Sequence, residues 1–199
     1  MFNRELTMKK KLLTILFIFV SLLTLTSCGT KKKNVFEKIK KIAIEIQNYG
    51  TIRLDLYPDV APVTVENFIN LVNEHYYDGL TFHRILNGYM MQGGANDGTK
   101  REVKKIKGEF LANGFDNPLK HERGVISMAR STDYNSASSQ FFIVHKTTPS
   151  FDGNYAAFGK VTEGIGIVDK ICENTPISNS NGIVLKEYQP VIKTIYVIE

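Results

Sequence analysis

Two runs of strict alternation on either side of a turn set the first limit on what this chain can become. Ile42, Ile44 and Ile46 alternate with Ala43, Glu45 and Gln47. After Asn48-Tyr49-Gly50 the pattern resumes, with Ile52, Leu54 and Leu56 set against Arg53 and Asp55. A period of two sends successive side chains to opposite faces, so this segment reads as a β-hairpin with one face made for burial. Pro58 and Pro62 end the second strand, and Pro62 suits the first turn of a helix. Val65, Phe68, Ile69 and Val72 then follow at i, i+3, i+4, i+7, an amphipathic helix ending near Glu74.

Downstream the apolar runs are short. Phe82 to Gly94 reads as two short strands around a tight loop at Gly88. Residues 95–124 hold few apolar side chains and many glycines and charges, a long irregular segment of the kind that is usually functional or mobile. Residues 125–129, 140–144, 156–161 and 191–198 read as further strands. The loops between them span 130–139 and 145–155. Residues 163–172 form a second helix through Ile165, Val168 and Ile171, with Pro176 beyond its end. Six to eight strands, two helices and long loops argue for a closed barrel or sandwich with helices over its ends.

The N-terminal part differs in kind. Met8-Lys9-Lys10-Lys11 is a positive start, which makes Met8 an alternative first residue. Residues 12–26 form an uncharged apolar run of about 15 residues, short of the roughly 20 a membrane-spanning helix needs. It fits the core of an export signal. The run ends in Leu25-Thr26-Ser27-Cys28-Gly29, which resembles the lipobox of bacterial lipoproteins. That resemblance implies cleavage after residue 27 and acylation of Cys28, diacylglycerol on sulfur and palmitate among the acyl groups. It implies a lipid anchor at the outer face of the cell membrane, or on the periplasmic side of an outer membrane where one exists. Residues 28–41, with Lys31-Lys32-Lys33, read as the lipidated cysteine and a solvated polar tether, and residues 42–199 as the folded domain.

The formal charge of +5 comes largely from the leader. Residues 1–27 carry Arg4, Lys9, Lys10 and Lys11 against Glu5, so the remainder holds 25 − 4 = 21 basic and 20 − 1 = 19 acidic side chains, a net +2. That bias is too small to argue for nucleic acid. His75, His83, His121 and His145 are far apart and lack metal-type spacing, so each reads as a surface or satisfied structural histidine. No metal or other cofactor is expected. No nucleophile elbow, phosphate loop or HExxH occurs. Cys172, on the apolar side of the second helix, reads as a buried inert thiol, and with Cys28 acylated no disulfide is expected. The odd residue is Arg84, an obligate cation in apolar company beside Tyr89 and Met90. It either snorkels or pairs with a carboxylate, or it stands on the rim of an apolar pocket.

Seven segments decide in favour of the pocket. They are Phe82-His83-Arg84; Met90-Met91-Gln92-Gly93-Gly94; Lys107-Gly108-Glu109-Phe110; Asn117-Pro118-Leu119-Lys120-His121; Arg123 to Ala129; Ser139-Gln140-Phe141-Phe142-Ile143; and Phe151-Asp152-Gly153 with Phe158-Gly159. Together, and in this order, they resemble the cyclophilins, peptidyl-prolyl cis–trans isomerases, over residues 42–199. The resemblance implies a mainly β fold, a closed eight-stranded antiparallel β-barrel capped by two α-helices. It implies Arg84 as the catalytic residue. Tyr89, Met90, Phe142 and Phe151 would wall a proline pocket. Gln92, Ala129, Arg130 and Gln140 would hold the flanking peptide, with Tyr155 where many members carry histidine. The partners implied are proline-containing polypeptides, bound by a monomer.

Three departures stand out. Ser150 lies where animal members carry tryptophan, and the chain has no Trp, which weakens the expectation of tight cyclosporin binding. Residues 98–105 replace a stretch that is glycine-rich in most relatives and bear on substrate preference. Tyr89 replaces the commoner phenylalanine. The reading is therefore an exported, lipid-anchored prolyl isomerase that assists folding outside the cytoplasmic membrane. The alternative is a binding module or holdase that uses the same groove without needing catalysis. A solute-capturing lipoprotein fits poorly, since such proteins usually need two lobes.

Overall fold

The computed structural model describes residues 38–198. The readings of a leader, of Cys28 and of most of the tether fall on residues 1–37 and lie outside the described residues. The elements are β1 (Lys40–Ile46), β2 (Gly50–Leu56), α1 (Pro62–Asn73), β3 (Phe82–Leu86), β4 (Met90–Gly93), β5 (Val125–Met128), β6 (Phe141–Val144), β7 (Ala157–Glu163), α2 (Ile165–Asn174) and β8 (Ile192–Ile198). All pairings between strands are antiparallel, in the order β3-β4-β6-β5-β7-β2-β1-β8.

The hairpin forms as its alternation requires, with Ile44 opposite Ile52 and Ile42 opposite Leu54. Asn48 takes a left-handed conformation in the turn. Backbone pairing needs no apolar side chain, so β1 begins at Lys40, ahead of the first isoleucine. β7 pairs with β2 as far as Glu163, and this delays α2 to Ile165.

The sheet curls so that one face encloses the main core. Phe68 of α1 sits there with ring centroids 5.1 Å from Tyr77, 5.4 Å from Phe141 and 5.2 Å from Phe158. α1 buries Val65, Phe68, Leu71 and Val72, and Ile69 is only half-buried. α2 buries Val168, Ile171 and Cys172. Each such side chain contributes about 1.5–3 kcal/mol by leaving water. Burial, with Asp169 and Glu173 nearby, pushes the Cys172 thiol up to about 12, so it stays protonated and inert. The outer face of the curl buries a second, smaller cluster of Met90, Val125, Phe142, Val144 and Ala157. β6 therefore alternates between two apolar faces, Phe141 and Ile143 inward, Phe142 and Val144 outward.

The expected closed barrel is corrected here: the sheet is an open, curled half-barrel ending in β3 and β8. Among the described residues the two ends meet at an isolated Thr81–Val191 bridge, flanked by Gly79 N–H to Ile192 O (2.9 Å), Ile192 N–H to Leu80 O (2.8 Å) and Phe82 N–H to Pro190 O (2.9 Å). Beyond that point the edge of β3 is taken by another segment. Ile85 N–H donates to Gly182 O (2.7 Å) and Val184 N–H to His83 O (3.0 Å). Gly182 is needed there, because its φ is +80° and a Cβ would lie 2.4 Å from Ile85 O. A loop in that place leaves no ladder for β8 to complete.

The long irregular segment is fixed rather than loose. Glu109, fully buried, accepts the N–H groups of Val63 (3.0 Å) and Thr64 (2.8 Å), which closes the N-terminus of α1 from across the fold. Asn117 Nδ2 donates to Glu109 O (3.0 Å) and Ala157 O (2.8 Å). Gly108 packs so closely that a Cβ would lie 2.3 Å from Tyr134 O.

Candidate active site

β3, β4, β5 and β6 lie side by side and present one patch on the outer face of the curl. Arg84 on β3 is opposite Gln92 on β4, and Gln92 is opposite Phe142 on β6. This register gathers residues from distant parts of the chain around a hollow of about 200 Å³. It is lined by Arg84, Tyr89, Met90, Gln92, Ala129, Arg130, Phe142, Phe151 and Tyr155. Nine of the ten groove positions expected from sequence meet here. The tenth, Gln140, lines an adjoining hollow of about 260 Å³ with Gln92, Ala129, Arg130, Ser131, Ser136 and Ser138.

One side of the first hollow is aromatic. Phe142 and Phe151 lie 5.1 Å apart, Phe151 and Tyr155 5.1 Å, Phe142 and Tyr155 5.5 Å, and Tyr89 and Phe151 4.7 Å, all inclined rather than stacked. Met90 closes the apolar wall, with an adaptable side chain that is buried. The other side is polar and chained. Arg84 Nε donates to Asn181 O (2.9 Å), and its Nη1 donates to Gln92 Oε1 (3.2 Å). Gln92 Nε2 in turn donates to Gln140 Oε1 (2.9 Å). Two of the five guanidinium donors are thus spent on positioning, and Nη2 makes no hydrogen bond among the described residues. No carboxylate pairs with Arg84 among them, which removes the ion-pair reading of this arginine.

Two histidines set beneath this patch were expected only as structural, and their place was not legible. His121 is buried, with its ring stacked on Phe142 at 6.0 Å and 16° and edge-on to Phe151 at 5.6 Å. Burial lowers its pKa and outweighs the opposing pull of Asp152. The neutral ring donates from Nδ1 to Asp152 Oδ1 (3.1 Å) and accepts at Nε2 from the Ser127 hydroxyl (3.0 Å). Burial works to raise the Asp152 carboxyl. The backbone N–H and ring of His121, with Lys120 nearby, overcome this and hold it below the ordinary range. His145, also buried, accepts Gly88 N–H at its ring Nδ1 (3.0 Å), and its backbone N–H donates to Tyr89 O (3.0 Å), so it pins the turn between β3 and β4. The pairing of Phe142 with Ser127 across β5 and β6 was the one clue available to His121, and it requires the register. Among the described residues no three His, Cys, Asp or Glu side chains converge as a metal site would require.

An aromatic hollow with an arginine on its rim that pairs with no carboxylate among the described residues, on a curled antiparallel sheet carrying two helices, defines a class of mainly β domain with a partly apolar surface groove. Comparison with known proteins gives that class its family. Residues 41–195 match the family model described as cyclophilin type peptidyl-prolyl cis–trans isomerase, and the chain belongs to this family. It is 40% identical over 142 residues to peptidyl-prolyl cis–trans isomerase B of Bacillus subtilis, covering 71% of this chain and 92% of that protein. It is 42% identical over 135 residues to peptidyl-prolyl cis–trans isomerase-like 2 of Gibberella zeae, covering 67% of this chain but only 23% of that longer protein. Among solved structures it is similar to a cyclophilin type isomerase of Cryptosporidium parvum, with TM-score 0.69, 27% identity, and 81% of this chain and 99% of that one covered. The same parasite protein, solved in the presence of the dipeptide Ala-Pro, matches with TM-score 0.68 at 28% identity over 80% of this chain and 99% of that one.

Proposed function

We propose that the chain catalyses cis–trans isomerisation of X–Pro peptide bonds, with Arg84 as the catalytic residue. The observation that carries this is the Arg84 guanidinium, held by Asn181 O and Gln92 Oε1 at the rim of the aromatic hollow and paired with no carboxylate among the described residues. Support comes also from the dipeptide Ala-Pro accompanying the similar parasite structure.

The chemistry needs no acid, base or cofactor. Rotation of a peptide bond meets a barrier of about 18–20 kcal/mol from amide resonance. Uncatalysed X–Pro exchange takes roughly 10–100 s. As the bond twists, the prolyl nitrogen regains its lone pair, so a donor aimed at that nitrogen binds the twisted state better than the planar one. Arg84 supplies a charged donor that never deprotonates. Phe142, Phe151 and Met90 grip the prolyl ring, while Gln92, Ala129, Arg130 and Gln140 hold the preceding chain, so that one side turns against the other. Tyr89 and Tyr155 complete the rim. Millisecond turnover needs about 10⁴- to 10⁵-fold acceleration, or roughly 5.5–7 kcal/mol. One strong hydrogen bond with fixation and desolvation is of that order.

The domain works outside the cytoplasmic membrane on exported proteins, assisting their folding as a monomer tethered through acylated Cys28. The lipobox-like Leu25-Thr26-Ser27-Cys28 and the basic, apolar leader support this part of the reading. Metabolic labelling with palmitate, lost in Cys28→Ala, tests it. Turnover of a short X–Pro peptide by the purified protein tests the activity. Exchange no faster than the uncatalysed rate would leave the alternative, a holdase that only binds.

A further inference from the structure

Arg130 stands on the ridge between the two hollows and lines both. Like Arg84 it pairs with no carboxylate among the described residues. Its Nε donates to Asn154 O (3.0 Å) and its Nη1 to Ser131 O (2.8 Å). Its guanidinium carbon lies over three rings, 5.2 Å from Phe110, 4.8 Å from Tyr134 and 4.8 Å from Tyr155. Backbone oxygens and aromatic faces fix its position without neutralising it. The two hollows together hold two cations and no acidic side chain.

The atypical lysine-rich stretch reinforces the same sign. Ile106 makes an isolated bridge to Ala137, so Lys105 and Lys107 are the chain neighbours of a residue paired with the loop that carries Ser136 and Ser138 on the rim of the second hollow. Lys104, Lys105 and Lys107 are exposed and form no ion pair among the described residues. The acids close in sequence are otherwise engaged. Asp97 accepts from Thr99, Glu102 lies against Asn96, Glu109 closes α1, and Asp133 Oδ1 accepts Asn135 N–H. Among the described residues Arg130 is thus the one cation lining this small recess, with three exposed, unpaired lysines in the segment that bridges to its rim.

Resting on the isomerase reading, we propose that this recess selects substrates carrying an acidic side chain within two residues of the proline. Arg130 is the residue that reads the carboxylate, bidentate in the manner open to a guanidinium. Ser138 offers a hydroxyl donor beside it, the Ser131 and Ser136 hydroxyls being spent on Ser136 Oγ and Asp133 O, and Lys104, Lys105 and Lys107 form an outer field that draws acidic segments in. This assigns the lysine-rich stretch a part in choosing substrates.

The test is a set of peptides identical but for Glu, Gln or Lys at each of the two positions on either side of the proline. Their kcat/KM values are measured with the purified protein at low and physiological salt. The expected ranking at the best position is Glu over Gln over Lys, with Glu about ten-fold above Lys. The gap narrows as salt screens the outer lysines. Arg130→Gln brings the ratio close to one, and replacing the three lysines by Gln removes the salt-dependent part. A Glu-to-Lys ratio of one or less at every position, with the Gln peptide turned over normally, overturns the proposal. So does a ratio untouched by Arg130→Gln. No turnover of the Gln peptide would instead sink the isomerase reading, and NMR titration of the same peptides would then read the same ranking as affinities.

Discussion

The residue beneath the pocket, His121, connects acid–base behaviour to the shape of the site. Its folded pKa is lowered by burial, so the native ring is neutral where an exposed histidine would begin to charge. The unfolded chain binds that proton near pH 6.5, the folded one only at lower pH, so stability is complete above about 6.5 and falls as the pH drops below it. His83 and His145 are lowered too, burial being the first cause in each, and they act with the same sign. The urea midpoint should therefore be lower at pH 5.5 than at pH 7.5, and His121→Gln should flatten that slope. An unchanged slope would mean that the ring is not buried neutral. Because Phe142 rests on this ring, the same substitution should raise KM more than it lowers kcat.

At the scale of elements, the long segment between β4 and β5 does what its composition hides. Glu109 closes the N-terminus of α1, and Glu109→Ala should cost about 1–3 kcal/mol by leaving the buried Thr64 N–H and the part-buried Val63 N–H unpaired. Gly108→Ala should also destabilise, by about 1–3 kcal/mol, since its Cβ would run into Tyr134 O. Denaturant unfolding measures both. These contacts explain what could and could not be read in advance. The β1–β2 hairpin was plain because each strand faces the core on one side only. β6 is buried on both faces, so Phe141-Phe142-Ile143-Val144 shows a short apolar run with no period. The groove positions were named by resemblance, not by periodicity, and they do line adjoining hollows. His121 was missed because its role depends on Phe142, a partner that only strand register supplies.

For the molecule as a whole, the unclosed seam sets where the fold opens first. A barrel was the natural expectation from eight antiparallel strands, but the Gly182–Val184 segment that occupies the edge of β3 gives no periodic signal. The amides at the seam, Gly79, Phe82 and Ile192, each rely on isolated hydrogen bonds. They should exchange with solvent faster than those of β1, which is paired on both edges. Equal protection would indicate that β3 and β8 are joined more firmly than the register shows. The patch on β3, β4, β5 and β6 proposed as the active site is firmly laddered apart from this outer edge, which suits the proposed task of holding one side of a twisting bond still.

Whether the patch catalyses or merely binds is decided by Arg84. The measurement to make is NMR exchange on one short X–Pro peptide, reading both affinity and the cis–trans interconversion rate for the protein and for Arg84→Ala. Fast exchange that falls by about 10²- to 10³-fold in the variant, with affinity changed far less, is the predicted result. Slow exchange in both, or equally fast exchange in both, would contradict the assignment of catalysis to this guanidinium.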